Sequence, residues 1–174
     1  LKNSRELSYQ DLYKKVAAAA TFLRIKGIKP GDRVAAFVNN TEETIVLFLA
    51  VASIGAIWAS CSPDFGAEIV CERFEQIDPT VLVYVTQYTY KGKSFNTSDT
   101  IHLLKQKLKS IVFSISLDAN DSKNIEDFSY SQIMGTTVST PLQFEQLSFD
   151  HPLYILFSSG TTGKPKCIAH SVGG

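Results

Sequence analysis

YILFSSGTTGKPK, Tyr154 to Lys166, changes character in mid-course. With Leu153 ahead of it, its first part is an apolar run that ends at Phe157, the pattern of a buried strand. The run then breaks into small hydroxyl residues, glycines and lysines. Gly160 and Gly163 permit positive φ and remove the Cβ atoms that would hold an anion away from backbone N–H groups. Ser158, Ser159, Thr161 and Thr162 add hydroxyl donors, and Lys164 and Lys166 add positive charge. A strand feeding such a loop predicts a cradle for an oligophosphate.

The loop is not a Walker A motif, GxxxxGK[ST]. Only Thr161 and Thr162 separate Gly160 from Gly163-Lys164, and the next residue is Pro165. Proline has no N–H to donate, and Cys167-Ile168-Ala169 has strand character, so no helix dipole is expected behind the loop. Its hold on phosphate rests on amides, hydroxyls and lysines, each charge-assisted bond contributing roughly 1.5–3 kcal/mol.

The chain has 174 residues, 44% of them hydrophobic, which is enough to bury a core of its own. Its formal net charge is zero, so nothing in it forms the electrostatic footprint of a nucleic-acid or anionic-membrane binder. Cys61, Cys71 and Cys167 are odd in number and form no CxxC pair. They point to neither a disulfide framework nor a zinc site, and a reducing compartment, the cytosol, is expected. The apolar stretch from Ile45 to Ala59 is led by Glu42 and Glu43 and split by Ser53 and Gly55, so no membrane span is expected. The chain begins at Leu1 and ends at Gly174 soon after the loop, and it is expected to be a piece of a larger protein.

Working back from the loop, Ser8 predicts a helix N-cap, with Asp11 near the position that completes a capping box. The helix is expected to run to about Lys26, with small apolar residues on one face and Gly27 as its stop. Lys29-Pro30-Gly31-Asp32 turns into a strand, Arg33 to Val38. Asn39-Asn40-Thr41 caps a second, largely apolar helix from Glu42 to Ile54, and Ala56 to Ser60 forms the next strand. This alternation predicts a mostly parallel α/β sheet with flanking helices. Ser62 to Gly66 falls at a strand's carboxyl end, where open α/β sheets place ligands. A third helix is expected over Ala67 to Ile77, and strands over Thr80 to Thr86 and Ile111 to Ile115, with a helix over Ile101 to Leu108 between them. Gln87 to Asp99 reads as a polar segment, Leu117 to Glu126 as a polar surface loop, Ile125 to Met134 as a short helix, and Asp150-His151-Pro152 as the turn into the loop strand. Asp64 reads as a cap for the third helix, Trp58 as core, and His102, His151 and His170 as structural or orienting residues.

SSGTTGKPK after an apolar strand is similar to the phosphate-binding signature of the adenylate-forming enzymes, the superfamily of acyl-CoA synthetases, luciferases and peptide-synthetase adenylation domains. The resemblance extends through LSYQDL (Leu7 to Leu12), KPGDRV (Lys29 to Val34) and ASIGAIWAS (Ala52 to Ser60), which resemble early segments of short-chain acyl-CoA synthetases. SPDFG (Ser62 to Gly66) and the segment Phe144 to Ser171 resemble the branch that activates acetoacetate more than the branch that activates acetate.

The resemblance implies that residues 1–174 are part of the large N-terminal AMP-binding domain, without the small C-terminal domain. It implies ATP, Mg²⁺, CoA and a short carboxylic acid as the small molecules of the parent enzyme. The acid attacks the α-phosphate of ATP, pyrophosphate leaves, and the CoA thiol displaces AMP. Ser158, Ser159, Gly160, Thr161, Thr162, Gly163, Lys164 and Lys166 would clamp the ATP phosphates, the lysines orienting pyrophosphate rather than acting as acid or base. Pro63 and Asp64 would lie near the pantetheine arm of CoA, and Lys93 would contact its nucleotide phosphates, with Tyr90 standing where related synthetases carry arginine. The resemblance assigns no catalytic residue and no metal ligand within these residues, and the 174 residues alone are expected to be inactive. Two other classes stay open at this point: a phosphotransferase with an unusual phosphate loop, and a non-catalytic adenylation-like scaffold.

Overall fold

The computed structural model describes residues 6–118, 127–158 and 165–174. In chain order it contains α1 (Tyr9–Ile25), β1 (Arg33–Phe37), α2 (Glu42–Ser53), β2 (Ile57–Cys61), α3 (Ala67–Phe74), β3 (Val81–Tyr84), β4 (Gln87–Tyr90), β5 (Lys93–Asn96), α4 (Ser98–Lys107), β6 (Phe113–Ser116), β7 (Asp127–Ser129), α5 (Tyr130–Met134), β8 (Pro152–Ser158) and β9 (Lys166–Ser171). The main sheet has the order β7-β6-β3-β1-β2-β8-β9 and is parallel throughout except for the final β8–β9 pair. The expected mostly parallel α/β sheet with flanking helices is what forms.

Strand alternation divides the core between the two faces of this sheet. Val34 and Ala36 of β1 point to the side that packs against α1 and α2, together with Phe22, Leu47 and Trp58. Ala35 and Phe37 point to the other side, against Val70 and Phe74 of α3 and Leu104 of α4. Both faces of β1 are fully covered, which is why its sequence is apolar without alternation. α1 presents a row of buried alanines, and their small side chains let the helix approach closely, as its spacing predicts.

The helix starts follow local chemistry. Ser8 Oγ accepts from the Asp11 N–H at 3.1 Å and donates to the Asp11 carboxylate at 2.6 Å. The carboxylate is thus taken by the serine hydroxyl and not by the Ser8 N–H of a reciprocal capping box. Thr41, and neither asparagine before it, caps α2. Gly27 adopts φ +82° just past α1 and gives it a left-handed stop.

Several expectations are corrected. The segment from Gln87 to Asp99, read only as polar, contains an antiparallel hairpin of β4 and β5, with Tyr88 stacked on Phe95 at 5.1 Å between ring centroids. Its turn uses left-handed Lys91 and Gly92, a conformation that favours Asn-Gly pairs and that lysine disguises in the sequence. Within the expected helix 125–134, Asp127–Ser129 is instead strand β7, which pairs with β6; a capping box between Ser129 and Gln132 starts α5 only at Tyr130. α3 ends at Phe74, short of Ile77. Asp64 does not cap it: the N-cap is Gly66, with no side-chain bond. Most of the expected loop from Leu117 to Glu126 lies outside the described residues.

Candidate functional site

The chain leaves β1 on one face through α2 to reach β2, then crosses on the other face through α3 to β3 on the far side of β1. Open α/β sheets bind ligands at such a switch, in the crevice beyond the strands' carboxyl ends. A cleft of about 360 Å³ opens there, lined among others by Asn39 and Asn40 after β1, Ser62, Pro63 and Asp64 after β2, and Tyr88 and Tyr90 of the hairpin. Pro63 is buried and Asp64 exposed, and both line the cleft. Lys93 does not line it. The lysine is exposed on β5, directly opposite Tyr90 in the hairpin register, beside the cleft's rim.

β8 lies next to β2, with Trp58 opposite Tyr154 and Ala59 opposite Ile155. Its last residue, Ser158, therefore reaches the same sheet edge as the Ser62 to Gly66 turn. β9 returns antiparallel, and Lys166 is the direct partner of Ser158. The two outer members of the predicted phosphate clamp thus sit side by side at the carboxyl edge of the sheet, Ser158 half-buried and Lys166 exposed. A strand, and no helix, follows the loop, as Pro165 and the apolar residues after it predict. Ser159, Gly160, Thr161, Thr162, Gly163 and Lys164 lie outside the described residues.

β8 is held in register by aromatic contacts and by its base. Tyr154 stacks on His170 of β9 at 4.8 Å and meets Phe48 edge-on at 6.5 Å, while Phe48 in turn packs on the buried Trp58. His170 is thereby an orienting residue. At the opposite end of the strand, His151 Nε2 donates to the Gly55 carbonyl at 2.8 Å, the same oxygen that accepts the Gly31 N–H. His151 is therefore structural, whereas His102 is exposed and contacts only Gln106 one turn along α4.

Sequence reasoning missed two side chains at this edge. The Asn39 side-chain oxygen is buried with no hydrogen-bond partner among the described residues, in a residue read only as part of a cap. Arg73, near the end of α3, places its guanidinium 4.3 Å from the Phe65 ring and 5.8 Å from Phe157. It also donates to the Cys61 sulfur at 3.8 Å. Burial pushes the Cys61 thiol above its ordinary pKa despite the opposing pull of Arg73, so it stays protonated at neutral pH. Among the described residues no group of His, Cys, Asp and Glu is arranged to hold a metal ion, and no helix is long and apolar enough to cross a membrane.

The model of the AMP-binding enzyme family matches residues 1–174, the whole chain. The chain belongs to the AMP-binding enzyme family. Among curated relatives, the acetoacetyl-coenzyme A synthetase of Rhizobium meliloti is 43% identical over 178 residues, covering 99% of this chain. The acetoacetyl-CoA synthetase of Macaca fascicularis is 38% identical over 97% of it. Among solved structures, an acetoacetyl-CoA synthetase from Streptomyces lividans superimposes with a TM-score of 0.93 at 37% identity, covering 99% of this chain and 26% of that one. The chain spans 27% of the length of these two curated relatives.

Proposed function

We propose that the parent protein is an ATP-dependent acid–thiol ligase that activates acetoacetate as an acyl-adenylate and passes it to CoA. The observation that carries this reading is the pairing of Ser158 with Lys166 at the carboxyl edge of a parallel sheet, beside the Ser62 to Gly66 turn. The same edge holds the cleft lined by Pro63, Asp64 and Tyr90, which supports a second subsite there for the pantetheine arm of a thiol carrier. The names of relatives at 43% and 38% identity favour acetoacetate as the acid.

In this reading the loop from Ser158 to Lys166 holds the β and γ phosphates and aligns pyrophosphate as the leaving group. Its amides and hydroxyls orient the oxygens, and the side chains of Lys164 and Lys166 offset their charge. Mg²⁺ bound with ATP would supply charge neutralisation at the phosphates, and no described residue is assigned to ligate it. The cleft receives CoA from the side of Pro63 and Asp64, with Tyr90 and Lys93 of the hairpin at its mouth for the nucleotide end.

Carboxylate-dependent exchange of labelled pyrophosphate into ATP by the full-length parent, run with acetate, acetoacetate and butyrate side by side, tests the assignment. Exchange strongest with acetoacetate is expected. Exchange strongest with acetate or butyrate would reassign the acid, and none with any acid would remove the ligase reading in favour of a scaffold or a phosphotransferase.

A further inference from the structure

We propose that Arg73 is a positioning residue that locks the Ser62 to Gly66 turn to the root of the phosphate loop, so that the CoA side and the ATP side of the site hold one relative placement. The inference rests on the ligase reading above.

Arg73 touches three pieces of the site at once. Phe65 belongs to the turn after β2, Cys61 ends β2, and Phe157 immediately precedes Ser158 at the end of β8. The guanidinium contacts both the turn and the strand that leads into the loop. Its surroundings are a poor exchange for water. Nε is buried with no hydrogen-bond partner, Nη1 has only a thiol sulfur, a weak acceptor, and no carboxylate pairs with the side chain among the described residues. A cation in the last turn of α3 favours the helix dipole, but a solvated lysine would serve that end without burying a donor. What the arginine plane supplies, and a lysine does not, is a flat charged surface that aromatic rings from two elements can share. Phe65 is 39% exposed, and its ring, in the turn that carries Pro63 and Asp64, packs against the Arg73 guanidinium.

The test uses the full-length parent with Arg73→Lys, Arg73→Met and Phe65→Ala. Three readouts are taken: KM for ATP in pyrophosphate exchange, KM for CoA in thioester formation, and melting temperature. Both Arg73 variants are expected to raise both KM values, by about three- to tenfold, with melting temperatures close to wild type. Phe65→Ala is expected to reproduce the CoA defect and to add little to it in the Arg73→Met background, because the two residues act as one unit. A fall in melting temperature with both KM values unchanged would reduce Arg73 to a packing residue and overturn the proposal. A rise in only one of the two KM values would overturn the coupling. Should Arg73→Met fail to fold, Arg73→Lys, which keeps the charge and the stem, supplies the same reading. Absence of acid-dependent exchange in the wild type would count against the ligase reading instead, so the two failures are distinguishable.

Discussion

Gly55 sits where three parts of the fold meet. It adopts φ +74° after α2, and its carbonyl accepts from both Gly31, ahead of β1, and His151, ahead of β8. A Cβ added there would lie 3.0 Å from Leu147 Cδ2, 3.1 Å from Pro30 Cβ and 3.4 Å from Glu145 Cγ. Gly55→Ala therefore meets two costs. The left-handed backbone contributes about 1–2 kcal/mol for a residue with a side chain, and displacing Leu147 and the ring of Pro30 adds roughly 1 kcal/mol. Gly27 separates the two, since it has φ +82° but nothing within 4 Å of an added Cβ. Gly27→Ala should show the backbone cost alone, and Gly55→Ala about 1 kcal/mol more. Urea unfolding followed by tryptophan fluorescence reads this directly, because Trp58 is buried in the core that Gly55 closes. Equal losses for the two variants would refute the steric part of the argument, and losses below about 0.5 kcal/mol for both would refute the conformational part as well.

Truncating Phe74, fully buried beneath the sheet against Phe157, should cost about 3–5 kcal/mol, read as a lower urea midpoint with unchanged slope. The Ser8 hydroxyl, more than Lys14, holds the Asp11 carboxyl below the usual range. A lowered carboxyl stabilises the fold above its unfolded pKa of about 4, and that contribution disappears as pH falls through the folded value. The stability gap between wild type and Ser8→Ala should therefore narrow between pH 5 and strongly acidic solution, and a constant gap in acid titrations would contradict the bond. Of the cysteines, Cys167 is exposed while Cys61 and Cys71 are buried. A native thiol titration of the chain should consume Cys167 first, and the other two only on unfolding; fast reaction of all three would contradict their burial.

The sheet was legible because its strands obey simple rules. Arg33 to Val38 and Thr80 to Thr86 are apolar runs between helices with recognisable caps, and both lie within a residue or two of β1 and β3. What escaped notice has physical reasons. The β4–β5 hairpin carries Tyr88, Tyr90, Phe95 and Lys93 on one face and only polar residues on the other, in strands of four residues each, and lysine occupies a left-handed turn position, so no apolar run and no turn dipeptide marks it. β7 has only three residues, too few for any period, and its edge pairing with β6 is a tertiary choice. The phosphate strand and its return were visible in YILFSSGTTGKPK, whereas Arg73 was not. Its role depends on Phe65 and Phe157, which are brought to it by different elements and carry no sequence spacing to announce their meeting.

The central claim is that the loop bounded by Ser158 and Lys166 grips the phosphate tail of ATP. Calorimetric binding of ATP and of AMP to the full-length parent, wild type against Lys164→Met and Lys166→Met, tests it most directly. A lost charge-assisted contact should weaken ATP binding by about ten- to hundredfold while AMP, which has no β or γ phosphate, binds nearly as before. Equal losses for both nucleotides, or none for either, would contradict the account.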